Sequence, residues 1–395
     1  IYGICSISKL FTGIAVMQLR DAGKLRLDES LNELLPWFEL EQGWANSPPI
    51  TLRSVLTHSA GLPRESDFPY WMGPDFRFPA RDEMIRKIAE QATLYPAERY
   101  FQYSNLGLTL AGEIVRERSG QDYDRYVREH ILDPLGLADT DTGFPTDARQ
   151  ARIATGYGFP GRNHELRVMP RYDTRAITPA AGFASTALDL AAFGAWQLRA
   201  LAGETDRVLD GNTLREMQRV QWMDWEWNIA RGLAFGVYRI GNRTLSGHAG
   251  DCPGFNTRLF VDPEGGTAVS VLANRNRVDV DGYAVAILDI LDAAAGSEDD
   301  TEKTIDLDPF TGSYDLSPWD GEDLVFRWQG GLAIASLPNM SPLDSMTMLR
   351  HIEGDRFRTI RNNGDDGHEI RFVRDASGQV THMNVHSLNV PRIVD

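Results

Sequence analysis

Ser6-Ile7-Ser8-Lys9 sets a hydroxyl and an amine three residues apart, the spacing that brings two side chains onto one face of a helix. Two further triplets follow in order, Tyr103-Ser104-Asn105 and His248-Ala249-Gly250. Together they offer a nucleophile, proton carriers, an amide and a glycine that permits close approach. Acyl transfer through a covalent serine intermediate needs such a set. Each piece alone has a plainer reading. Ser-x-x-Lys arises by chance in a chain of this length, Ser104 and Asn105 suit a helix cap, and a histidine on a strand is commonly structural.

The elements that must hold these residues follow from periodicity. Ile7, Leu10, Phe11, Ile14, Ala15, Met17 and Leu19 recur at helical spacing, which predicts a helix from Ser6 to about Asp21 with Ser6 at its amino end. Free N–H groups and a positive dipole end there favour a developing oxyanion. Residues 28–140 read as mainly helical: a helix start over Ile50–Leu56 ended by Gly61 and Pro63, a helix over Asn105–Arg118, and another over Tyr123–Leu132 closed by Pro134. From about Phe235 the pattern turns to strands. Gly241-Asn242 joins one hairpin, and Asp262 to Gly266 joins Phe255–Val261 to Thr267–Leu272 in a second. Tyr283–Ala295 returns to helix, so the class is α+β. Residues 297–308 form an acidic linker, and 309–395 carry short strands of a small antiparallel β-barrel.

With 395 residues the chain can hold one large and one small domain. Its 42% hydrophobic and 24% charged content is that of a globular protein. A net charge of −16 argues against nucleic acid or anionic membrane as partner. No apolar run has the length of a membrane span. Cys5 and Cys252 show no metal-ligand spacing, and two buried thiols are expected in preference to a disulfide. The compartment is unreadable. Numbering that starts at Ile1, five residues before the serine, suggests a longer or processed protein.

Ser6-x-x-Lys9, Tyr103-x-Asn105 and His248-x-Gly250 resemble the motifs of the serine β-lactamase and penicillin-binding-protein superfamily, closest to class C β-lactamases, D-aminopeptidases and family VIII esterases. Ile50 to Pro63, Pro134 to Leu137, Gly182 to Leu190 and Pro253 to Phe255 extend the likeness over roughly residues 2–295. The resemblance implies a β-lactamase-like domain over 1–296, an antiparallel sheet flanked by helices with a mainly helical subdomain. The tail resembles a lipocalin-like barrel. It also implies that Ser6 attacks a carbonyl while Lys9 and Tyr103 share its proton, and that Asn105 holds the substrate's amide. The N–H groups of Ser6 and Asp251 would form the oxyanion hole, and Gly250 would let substrate approach the strand.

Two departures shape the expectation. His248 stands where β-lactamases place lysine, and an imidazole is mostly neutral at pH 7, which suits esters, amides or peptides better than penicillins. The strand pair that precedes the serine helix in the family is missing, which would leave a sheet edge open. The expected function is a serine hydrolase acting on an amide, peptide or ester, without metal or organic cofactor. The alternatives are a true β-lactamase or D,D-carboxypeptidase, and a catalytically silent binding module. His58 reads as turn chemistry. Trp222, Trp225 and Trp227 read equally as pocket lining or ordinary packing.

Overall fold

A computed structural model describes residues 1–67, 70–160, 165–204, 207–295, 305–318, 321–328, 330–337, 346–361 and 364–393. The chain divides into two compact units, Ile1–Ala295 and Gly296–Asp395.

In the first unit the serine helix is a central rod. The α-helix proper, α1, runs Ser8–Asp21, and a 3-10 turn over Cys5–Ile7 precedes it, so Ser6 lies in that turn and not at the first residue of the α-helix. Every residue from Ser8 to Met17 is buried, the condition of a helix surrounded on all sides and not of a surface helix with one apolar stripe. The Asn105–Ser119 and Thr178–Ala181 helices pack against it. Phe11 stacks on Phe193 at 4.3 Å between ring centroids.

Residues 28–140 are less helical than their periodicity suggests. Short helices (Leu31–Leu34, Leu52–Leu56, Arg81–Ile88) are spaced by long irregular stretches, and only Asn105–Ser119 runs to four turns. Thr51 and Ser54 close a capping box on the Leu52–Leu56 helix. The Tyr123 segment continues past Pro134 to Leu135 with a widened turn over Arg128–Leu132, and it stops at Gly136, φ +67°.

After a two-residue pairing of β1 (Tyr2–Gly3) with β2 (Ala184–Ser185), one antiparallel sheet runs in chain order. Its strands are β3 (Trp222–Met223), β4 (Ala230–Arg231), β5 (Gly236–Ile240), β6 (Arg243–Cys252), β7 (Phe255–Asp262) and β8 (Thr267–Ala273). Ile240 pairs with Arg243, which makes Gly241-Asn242 the expected two-residue turn. All of β7 is buried. Leu259 faces the core shared with α1, while Phe260 and Val269 face Ala284 and Leu288 of the Val280–Ala295 helix. Among the described residues β8 is the last strand of this sheet and pairs with β7. No helix of the described residues is long and apolar enough to cross a membrane.

The second unit is an eight-stranded antiparallel meander: β9 (Gly312–Asp315), β10 (Glu322–Trp328), β11 (Gly331–Leu337), β12 (Thr347–Glu353), β13 (Arg356–Ile360), β14 (Asp366–Arg374), β15 (Val380–Val385) and β16 (Leu388–Pro391). A bridge between Tyr314 and Arg392 brings its two ends together into a nearly closed barrel. Phe310, Phe357 and Phe372 fill the interior with ring centroids 5.0–5.5 Å apart. Leu307 is buried in the same core, so the last residues of the expected linker belong to the barrel. Residues 296–304 of that linker lie outside the described residues.

Candidate active site

The turn that carries Ser6 is pinned to β6. β5 pairs with β6 as far as Gly247, and beyond it the strand meets Ile4 at Gly250 and Cys5 at Cys252. Cys5 and Cys252 are joined in a disulfide, where free thiols were expected; the turn sets their Cα atoms 5.8 Å apart, within the span of such a bond. The Thr257 hydroxyl donates to the Ile4 carbonyl at 3.2 Å. Gly250 is required by this packing, since a Cβ there would lie 2.3 Å from the Ile4 oxygen and 2.1 Å from Thr257 Oγ1. Asp251 beside it accepts from Asn256 and Asn276, each at 2.9 Å, which fixes the end of the strand.

Lys9 is fully buried, and its ammonium nitrogen has three neighbours: Ser6 Oγ at 3.0 Å, Asn105 Oδ1 at 2.8 Å and the Ala180 carbonyl at 2.7 Å. Burial lowers the Lys9 pKa well below its ordinary value; Glu65 opposes the shift, and Arg64 and Arg231 add to it. A neutral amine fits this setting. It has two N–H groups for Asn105 and Ala180 and one lone pair aimed at the Ser6 hydroxyl.

Tyr103 donates to Ser6 Oγ at 2.8 Å from the other side. Its burial pushes the phenol up to about 12, with the bond to Ser6 and the charges of Arg64 and Arg231 pulling the other way. Tyr103 is thus a held proton donor. Ser6, Lys9, Tyr103 and Asn105 meet within one hydrogen-bonded cluster.

Two histidines flank the phenol. His58, expected only as part of a turn, stacks on the Tyr103 ring at 4.4 Å, and its Nδ1 accepts from the Ser104 N–H at 3.1 Å. It adopts φ +58°, which points the imidazole inward from the end of the Leu52–Leu56 helix. His248 lies 6.1 Å from the Tyr103 ring, with Nδ1–H donating to the Ala249 carbonyl at 2.6 Å. Burial lowers both histidines well below 6.5, and a protonated Lys9 would lower them further. Both are neutral at pH 7.

A cleft of about 660 Å³ opens in front of Ser6, lined in part by Trp71, Phe76, Phe159, Met169, Arg64 and Arg167. Aromatic residues cluster behind it, with Phe78 stacked on Tyr172 at 5.5 Å. Trp225 and Trp227 are exposed and stand outside its lining, whereas Trp222 donates to the Glu98 carbonyl at 3.3 Å. Glu65 was not singled out from sequence, yet its carboxylate accepts from Asn105 Nδ2 at 2.6 Å. Among the described residues no group of three or more His, Cys, Asp or Glu is placed to hold a metal ion.

Known proteins share both sequence and fold with this chain. "Beta-lactamase-like protein 2" of Dictyostelium discoideum is 26% identical over 261 residues, 65% of this chain and 46% of that protein, so the chain spans about half the length of that relative. The octameric penicillin-binding protein homologue from Pyrococcus abyssi superposes with a TM-score of 0.64 at 22% identity, over 98% of this chain and 87% of that one. The D-amino acid amidase from Ochrobactrum anthropi SV3 does so with a TM-score of 0.61 at 24% identity, over 75% and 84%. Residues 1–293 match the beta-lactamase family model. The chain therefore belongs to the beta-lactamase family, within the superfamily of serine β-lactamases and penicillin-binding proteins.

Proposed function

We propose that this protein is a serine hydrolase that forms an acyl-enzyme on Ser6 and acts on an amide, peptide or ester. The observation that carries the reading is the position of Ser6 Oγ, 3.0 Å from a buried amine and 2.8 Å from a buried phenol. Neutral Lys9 takes the Ser6 proton as Oγ bonds to the substrate's carbonyl carbon. The oxyanion develops against the N–H groups of Ser6 and Asp251. As the tetrahedral adduct collapses, the Tyr103 hydroxyl gives its proton to the departing nitrogen or oxygen, and the proton held by Lys9 replaces it. A water molecule then loses a proton to the same pair as it attacks the acyl carbon, and the pair returns that proton to Ser6 Oγ as the acyl bond breaks.

Neutral His248 lacks the fixed charge that would anchor a substrate carboxylate, which favours esters, amides and peptides over penicillins.

Intact-protein mass spectrometry after exposure to a fluorophosphonate, a p-nitrophenyl ester and a penicillin tests the reading. An adduct from the first two that vanishes in Ser6→Ala is the expected result. Rapid turnover of a chromogenic cephalosporin would instead favour a true β-lactamase. A folded protein that reacts with none of these would point to a silent binding module.

A further inference from the structure

Glu65 lies in the loop after Pro63 and touches Ser6 nowhere, yet the fold takes trouble to place it. The Ser104 hydroxyl donates to the Pro63 carbonyl at 2.7 Å, and the N–H groups of Asn105 and Leu106 donate to the Arg64 carbonyl at 2.8 and 3.1 Å. The loop is thereby clamped on the first turn of the Asn105–Ser119 helix. The Glu65 carboxylate then collects donors on both oxygens. Oε1 accepts from Asn105 Nδ2 at 2.6 Å and Trp71 Nε1 at 3.0 Å, with Arg64 Nε at 3.4 Å; Oε2 accepts from the Tyr70 hydroxyl.

A carboxylate in contact with the cleft residues Arg64, Trp71 and Asn105 invites the idea that it binds a substrate ammonium. Its surroundings oppose this. Its side chain is only 17% exposed and already accepts hydrogen bonds from Asn105, Trp71 and Tyr70. Its effect is instead on Asn105, whose amide is held in one of its two orientations: Nδ2 toward Glu65, Oδ1 toward Lys9 at 2.8 Å. Reversing that amide would set an NH2 group against the Lys9 amine.

We propose that Glu65 is a positioning residue, whose carboxylate locks the Asn105 amide and, through it, supplies the negative charge that faces Lys9 across the site. The other groups that face Lys9 are Tyr103 ahead of the Asn105 helix, His58 after the Leu52–Leu56 helix, His248 on β6, and the guanidinium groups of Arg64 and Arg231. Among the described residues Glu65 is the anion that acts on Lys9 in that company, and it favours the protonated amine. The inference rests on Lys9 serving as the base for Ser6.

The test is the pH dependence of fluorophosphonate labelling of Ser6 in wild type, Glu65→Gln, Glu65→Asp and Tyr70→Phe, with thermal unfolding beside it. Removing the charge makes Lys9 harder to protonate. The acid limb of Glu65→Gln is therefore expected about one unit lower, with a plateau rate reduced about tenfold by the loosened Asn105 amide. Glu65→Asp keeps the charge but is one methylene shorter, so its limb stays near wild type while its plateau falls. Tyr70→Phe, which removes only a hydrogen bond to the carboxylate, lowers stability and leaves the limb in place. An unchanged limb and plateau in whichever Glu65 variant folds overturns the assignment, as does a Glu65→Gln profile that matches Tyr70→Phe. Wild type that fails to label at all refutes the serine-hydrolase reading itself, a separate result.

Discussion

Cys5 and Cys252 are bonded to each other, and the residue next to each in the chain is Ser6 on one side and Asp251 on the other. The disulfide thus ties together the two backbone positions proposed to hold the oxyanion. It closes a loop with a sequence separation of 247 residues, so it restricts the unfolded chain heavily. Converting both cysteines to alanine is expected to cost about 2–5 kcal/mol in unfolding free energy. Ser6 labelling should slow as well, measured at a temperature where the variant is still folded. Labelling at the wild-type rate would mean that Thr257 and the Gly250 contact suffice to hold the turn.

Gly250 bears on the same joint. A Cβ at this position meets backbone at the Ile4 oxygen as well as the Thr257 side chain. Backbone cannot swing aside, and overpacking of this kind costs about 1–3 kcal/mol. Gly250→Ala should lose stability in that range and most of its reactivity toward fluorophosphonate. Adding Thr257→Ala removes only the 2.1 Å contact and should restore little. Full recovery in the double variant would show that Ile4 does not set the limit.

The parts of this site that could be read from sequence are those whose spacing is local. Ser6 and Lys9 stand one turn apart, and that spacing survives even though the turn at Ser6 is 3-10 and not α. Gly241-Asn242 announced its hairpin because a two-residue turn needs those residue types. Glu65 and the inward turn of His58 left no such trace. Glu65 lies in an irregular loop, where no period says which way a side chain points, and its partners Tyr70, Trp71 and Asn105 reach it through tertiary packing. His58 takes a left-handed φ that is uncommon outside glycine, and Ser59-Ala60-Gly61 beside it suggests only a turn. The disulfide was missed for a related reason: 247 residues separate its ends, and two cysteines carry no pattern.

The two site histidines make stability depend on pH with a definite sign. Burial holds His58 and His248 well below 6.5 in the folded protein, while in the unfolded chain they titrate near that value. Below about pH 6.5 the unfolded state binds protons that the folded state refuses. Stability present above that pH is therefore lost as the solution is acidified, by about 1.4 kcal/mol per pH unit for each group until its folded pKa is reached. Chemical denaturation of wild type and His58→Gln between pH 5 and 7.5 measures this. A slope as steep in the variant as in wild type would contradict the assignment of His58 as neutral and buried.

Tyr103 is expected to matter most where the leaving group needs a proton. Its phenol is held protonated by burial, and it donates to Ser6 Oγ, close to where a departing atom would sit. An amine leaving an amide adduct must be protonated, whereas p-nitrophenolate departs as a stable anion. Tyr103→Phe keeps the ring that His58 stacks on and removes only the hydroxyl, so the fold should be retained. A positioned acid contributes about 10²–10⁴-fold. That loss should appear in kcat/KM for an anilide, and a much smaller one for the matching p-nitrophenyl ester. Equal losses on both substrates would remove Tyr103 from the role of leaving-group acid and leave it only to orient Ser6.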